Sequence, residues 1–143
     1  MRHTLFFKFL PMVIKKAVKT GKKKEIIDIT GLVNQTIQTE KILNGAIILF
    51  VPHTTCGISI NENSDPDVKT DILKWMKNAI PEDMGFLHSE GNSDAHIQSL
   101  LTGQTLHLVI DKGQLLLGVW QSIYFCEFDG PRNRELIIKL IKD

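Results

Sequence analysis

Cysteine is scarce in this chain, with only Cys56 and Cys126 among 143 residues. The two lie far apart and outside any CxxC pattern, which excludes a disulfide scaffold or a cysteine zinc site and fits a reducing, cytoplasmic setting. Long apolar runs are also missing. Nothing approaches the ~20 consecutive apolar residues that a membrane-spanning helix requires, so a soluble protein with no membrane partner is expected. The opening MRHTLFFKFLPMVI has something of a signal peptide, but Lys8 and Pro11 interrupt its apolar core and no small-residue cleavage site follows. It reads as a short extension, residues 1–11, leading into an edge strand. An excess of either charge is absent too: 17 basic and 16 acidic residues leave a net charge of +1, and no domain-wide field exists to attract nucleic acid. No stretch rich in Pro, Gly or Ser marks a linker, so residues 1–143 read as one domain. The one basic cluster, KTGKKKE from Lys19 to Glu25, lacks the GxxxxGK[ST] spacing of a phosphate-cradling loop and reads as a solvated hairpin turn.

Residues 12–20 and 25–29 are short and β-branched, which predicts two strands paired as a hairpin around that turn. A helix is expected from Thr30, as N-cap, to the stop signal Asn44-Gly45, and AIILFV has the length of a strand buried on both faces. The clearest helix follows Asp65 (N-cap) and Pro66, with Val68, Ile72, Met76 and Ile80 on one stripe and Trp75 beside it in a core-packing role. Ser93 is expected to cap a shorter helix that closes at Gly103. The last forty residues read as strands, although RELIIKLIKD also fits helical spacing. His107, alternating with leucines, reads as a sheet histidine. Strands clustered at both ends around a helical middle predict an α+β fold with a largely antiparallel sheet and two to three helices.

Candidate chemistry falls in three stretches. VPHTTCGISINENSDPD interrupts two apolar runs with His53, Thr54, Asn61, Glu62 and Asp65, and LHSEGNSDAH packs His88, Glu90, Asn92 and His96 into ten residues with a glycine. Three histidines at element ends are a candidate metal set, because zinc and similar ions take neutral imidazoles with carboxylates, and a helix N-terminus disfavours the imidazolium form. No HExxH or HxH spacing ties any two of them together. In the third stretch, GQLLLGVWQSIYFCEFDGPRNR, an unbroken strand from Val119 to Asp129 would put Gln121 and Glu127 on one face, as a pocket wall with a few polar groups. Arg132 and Arg134 follow a turn and suit either a phosphate or a solvated loop.

These stretches, in this order, resemble the YjbQ-like family, also called the secondary thiamine-phosphate synthase family. Gly113, Leu115, Leu117, Gly118, Trp120 and Gln121 carry the strongest part of the likeness. Cys56 and Gln98 depart from it, standing where a small residue and a lysine are expected. The resemblance implies a homotrimeric α+β protein with a polar pocket built from several loops. It also implies a reaction joining a pyrimidine diphosphate to a thiazole phosphate, conceivably as a secondary activity. On that reading His53, Glu62 and Glu127 are catalytic, and Thr54, Asn61, Asp65, Glu90, Asn92, Gln121 and Arg132 bind a small-molecule substrate. A divalent metal ion, zinc or magnesium, would sit on His53, His88 and His96. The same groups would suit a metal-dependent hydrolase of a small ester or phosphate, or a trimer that binds a metal or small molecule without turnover.

Overall fold

The computed structural model describes residues 13–143, so the 1–11 extension lies outside the described residues. The elements run β1 (Val13–Lys19), β2 (Glu25–Asp28), α1 (Thr30–Thr39), β3 (Gly45–Phe50), β4 (Cys56–Glu62), α2 (Pro66–Ala79), α3 (Ser93–Thr102), β5 (Thr105–Asp111), β6 (Gln114–Leu115), β7 (Gln121–Glu127) and β8 (Asn133–Lys142). They form a five-stranded sheet, β1-β8-β3-β5-β6, and a three-stranded sheet, β2-β7-β4. Every pairing is antiparallel, so the fold is α+β as the strand clustering predicts.

The expected hairpin between β1 and β2 does not form. β1 pairs with β8 and β2 with β7, and both pairings keep one register, from Val13 opposite Lys139 to Asp28 opposite Tyr124. The amide of Thr20 donates to the carbonyl of Arg132 and that of Gly130 to the carbonyl of Lys23, each at 2.9 Å. Residues 13–28 therefore run as one ribbon along 124–139, bent at its middle as it passes from one sheet to the other. The lysine turn is one side of that corner and is only partly solvated. Lys24 turns inward, its ammonium 2.6 Å from Asp94, 2.8 Å from the Gln98 side-chain oxygen and 3.2 Å from the Phe128 carbonyl.

The main core lies between the sheets and α1, where Val33, Ile37, Ile47, Leu49, Ile123, Phe125, Leu136 and Ile138 are buried. Each such side chain contributes about 1.5–3 kcal/mol of burial energy. A smaller cluster of Ala95, Tyr124, Cys126 and Phe128 lies under α2 and α3. Strand β3 buries only one face, not both as expected: Ile47 and Leu49 are inside, while Phe50 is 39% exposed, because no described residue covers the outer face there. The C-terminal segment is a strand, with Arg134, Leu136, Ile138 and Leu140 in the buried phase.

Helix α2 begins as expected, with Asp65 accepting from the Asp67 amide at 2.9 Å and Pro66 in the first turn. Its Trp75 is not a core residue. It is 63% exposed, and no residue of α2 is fully buried, since the helix lies over the edge of the small sheet. Thr30 is the first residue of α1 and not its cap; its hydroxyl accepts from the Ile123 amide and its own amide donates to Asp28. At α3 the cap position falls to Asn92. The closing glycine of α3 is as expected: Gly103 has φ +90°, and its carbonyl accepts from Ile58 at 2.9 Å. Gly57 makes that approach possible, since a Cβ there would stand 2.7 Å from the Gly103 carbonyl oxygen.

Candidate functional site

Three segments meet where the ribbon turns its corner: the 51–55 loop after β3, the start of α3, and the 129–132 turn before β8. They enclose an open polar cleft of about 340 Å³, lined by His53, Thr54, Glu90, Asn92, His96 and Arg132 among others. Six of the residues expected at a site are thus brought together by elements far apart in sequence.

The cleft floor is a buried ion pair. Strand alternation puts Glu127, on β7 of the small sheet, and Arg134, on β8 of the large sheet, each in the buried phase of its own strand, so each must find a partner inside. The guanidinium donates to both carboxylate oxygens, at 2.8 and 2.6 Å, and its Nη2 also reaches the Thr55 hydroxyl at 2.8 Å. Glu127 accepts further from the Thr20 hydroxyl at 2.8 Å and the Asp129 amide at 3.0 Å. Burial raises the Glu127 pKa, but the Arg134, Asp129 and Thr20 hydrogen bonds outweigh it and leave the group below its ordinary value. With about four lone-pair directions filled, Glu127 has none left to act as a base, so the catalytic role expected for it gives way to a structural one.

Above that floor, Asp129 accepts from the Asn92 side-chain amide at 2.9 Å and from Arg132 Nη2 at 3.0 Å, while Arg132 Nε donates to the Asp129 carbonyl at 2.7 Å. Burial raises the Asp129 pKa, and the hydrogen bonds from Asn92 and Arg132 bring it below normal. The side-chain oxygen of Asn92 is buried without a partner among the described residues.

His53 is half-buried, and its Nε2 accepts from the Glu135 amide at 2.9 Å. That hydrogen bond occupies the single lone pair of a neutral imidazole, so the proton lies on Nδ1 and His53 is a donor. Burial first, and then the positive charge of Arg134, push its pKa down. The expectation that His53 ligates a metal therefore does not fit this arrangement. His88 and His96 do meet, edge to face, with ring centroids 5.3 Å apart, and Glu90 lies 3.9 Å from His88 Nε2. Among the described residues no three His, Cys, Asp or Glu side chains gather closely enough to hold a metal ion.

Four expected residues lie elsewhere. Strand β4 carries Asn61 and Glu62 away from the cleft; Glu62 stands opposite Gln121, whose side-chain oxygen folds back onto the Gly118 amide at 2.8 Å. Asn61 lines a separate cavity of about 530 Å³ with Asp71, Trp75 and Tyr124, and Asp65 is spent on capping α2. The unbroken strand from Val119 is likewise not present, since β7 starts at Gln121. Thr55 and Asp129 are cleft residues the sequence reading missed. Cys56 and Cys126 are buried, and burial pushes both thiols up to about 12, which removes them as nucleophiles.

The family model described as "UPF0047 protein YjbQ-like" matches residues 15–143, which includes every residue of the cleft. The chain belongs to the YjbQ-like family. This YjbQ-like chain is 48% identical over 134 residues to a UPF0047 protein of Methanocaldococcus jannaschii, covering 94% of this chain and 97% of that one. It is 47% identical over 125 residues to the UPF0047 protein YugU of Bacillus subtilis, covering 87% and 95%. Among solved structures, a YjbQ/UPF0047 family protein of Clostridium acetobutylicum superposes with a TM-score of 0.86 at 45% identity, covering 90% of this chain and 99% of its own. A hypothetical protein of Aeropyrum pernix reaches 0.87 at 29% identity, covering 92% and 99%. The YjbQ-like chain thus shares its overall fold with these structures.

Proposed function

We propose that the cleft binds the phosphate groups of small organic phosphates and that the chain catalyses a thiamine-phosphate-synthase type of transfer. The carrying observation is the convergence of His53, Thr54, Asn92, His96 and Arg132 on one cleft of about 340 Å³, which supplies hydrogen-bond donors and lacks a free buried base. In this reaction the bond between the pyrimidine methylene carbon and the diphosphate oxygen breaks, and its electron pair leaves with the diphosphate. The lone pair of the thiazole nitrogen then forms the new carbon–nitrogen bond, so no proton has to be removed. Donors on the departing oxygens are what such a step needs. His53 Nδ1–H, the Thr54 hydroxyl and the Arg132 guanidinium take that role here. Exposed Glu90 stands at the rim, where a carboxylate would favour positive charge developing on the methylene.

The hydrolase alternative needs a base to activate water, and the two carboxylates expected to provide one are saturated (Glu127) or at the far end of β4 (Glu62). This difference favours the transferase. A divalent metal, zinc or magnesium, is a separate proposal that would rest on the His88 and His96 pair, with no third protein ligand among the described residues; metal analysis of purified wild type beside His96→Ala tests it. A homotrimer, as the resemblance implies, is proposed as the working assembly.

Purified protein incubated with the two thiamine precursors should form thiamine phosphate and diphosphate, detected by mass spectrometry, and Arg132→Ala should lower the rate by about 10²-fold, the usual loss for one preorganised donor. Product no faster than in the protein-free control would overturn the assignment.

A further inference from the structure

The polar cleft does not end at its histidines. Pro52, His53, Thr54 and His96 also border a second open compartment of about 640 Å³. On its far side stand Phe50, Val51 and Leu100, with Phe50 39% and Leu100 76% exposed. The side-chain donors of Ser99 and Gln104 in that wall are already engaged. Ser99 donates its hydroxyl to the Cys56 carbonyl at 2.6 Å, and the Gln104 side-chain amide donates to the Ser99 carbonyl and hydroxyl oxygens, both at 3.0 Å. The chamber thus offers apolar surface and little unspent hydrogen bonding, beside a cleft that offers the reverse.

An abrupt change of polarity across a shared histidine wall selects for a ligand with the same division. We infer that the site takes organic phosphates with an apolar body, the phosphate in the polar cleft at Arg132 and the body against Phe50 and Leu100, across the wall that His53 and His96 share between the two compartments. This rests on the phosphate-binding reading above and adds the class of substrate body. It also explains why Phe50 is left uncovered at the end of β3, where a core strand would hide it. A polar body of equal charge would leave the apolar wall in contact with water and gain nothing from it.

Calorimetric titration of the full chain with inorganic phosphate, glycerol 3-phosphate and phenyl phosphate separates the claims. Phenyl phosphate should bind about tenfold more tightly than glycerol 3-phosphate, the gain expected from covering part of a ring. Leu100 is exposed, so Leu100→Ser is compatible with folding, and it should cut the preference to about threefold or less. Equal affinity of the two esters, or a preference that Leu100→Ser leaves intact, would overturn the inference while inorganic phosphate binding keeps the phosphate reading alive. Failure of all three, inorganic phosphate included, would remove that reading as well.

Discussion

At the scale of single residues, Glu127 and Glu62 separate structural from functional carboxylates. Glu127 is fully buried and bonded to Arg134, Thr20 and Asp129. Glu127→Ala strands a buried guanidinium and should cost about 4 kcal/mol in urea unfolding, whereas Glu62→Ala, half-buried at the end of β4 with no side-chain partner among the described residues, should stay within about 0.5 kcal/mol. The pH dependence follows from the same pair. The folded-state pKa of Glu127 lies below its unfolded value, so its contribution is complete above about pH 4.3 and is lost as pH falls through the lower folded value. Glu127→Gln should remove that part of the acid slope. His53 is also depressed, but as a base: the stability from holding it neutral is present above about pH 6.5 and declines as pH falls through that point towards the folded pKa. Nitrogen-detected NMR should find the Nδ1–H form at neutral pH and titration below 6.5. A midpoint at or above that value, or the Nε2–H form, would restore His53 as a possible metal ligand. The burial of each charge was legible in principle, since Arg134 keeps step with Leu136 and Ile138 and Glu127 with Ile123 and Phe125; that the two meet was not, because β7 and β8 lie in different sheets.

At the scale of elements, periodicity shows what a segment is and not what it touches. It is enough to read β3, α2 and β5, because each carries its own pattern and stop signals, but it leaves β8 between strand and helix, since RELIIKLIKD fits both spacings. It is silent on the partners of β1 and β2, whose pairing spans about a hundred residues or more and whose intervening turn looks like any hairpin turn. The same blindness affected the site. Asn61 and Glu62 are close to His53 in sequence, but seven residues of β4 at about 3.3 Å each carry them about 20 Å along the sheet. His53, Asn92 and Arg132, from three distant segments, converge because the ribbon corner and α3 are locked together. Lys24 is part of that lock, joining the corner to Asp94 and Gln98 on α3. It also puts a lysine ammonium beside Gln98, the position where the resemblance leads one to expect a lysine. Lys24→Ala leaves Asp94, 2% exposed, without its cation, and should cost about 3 kcal/mol. Because α3 carries Asn92 and His96, phosphate affinity should fall with stability, and hydrogen exchange should rise first in α3. Exchange that rises uniformly would mean the lock is not local.

At the scale of the whole molecule, apolar residues left in solvent are the unexplained feature. The loop between β6 and β7 exposes Leu116 at 61%, Val119 at 87% and Trp120 at 61%, and Trp75 and Leu101 are similarly uncovered. Scattered apolar residues are ordinary on a surface, but a loop holding three in five positions, one of them Trp, has the character of an interface core. Gly118 and Gln121 hold that loop in shape through the 2.8 Å bond between them, which gives the GxLxLGxWQ pattern a physical purpose: it presents Trp120 in a fixed pose. In a cyclic trimer each copy offers one patch to a different patch on the next, so a single rigid aromatic anchor is used three times. If the proposed homotrimer forms, sedimentation equilibrium gives a mass three times 16.2 kDa, and Trp120→Ser should move the population towards monomer at micromolar concentration without changing the far-ultraviolet circular dichroism. A wild-type chain that sediments as a monomer up to 100-fold higher loading would remove the trimer.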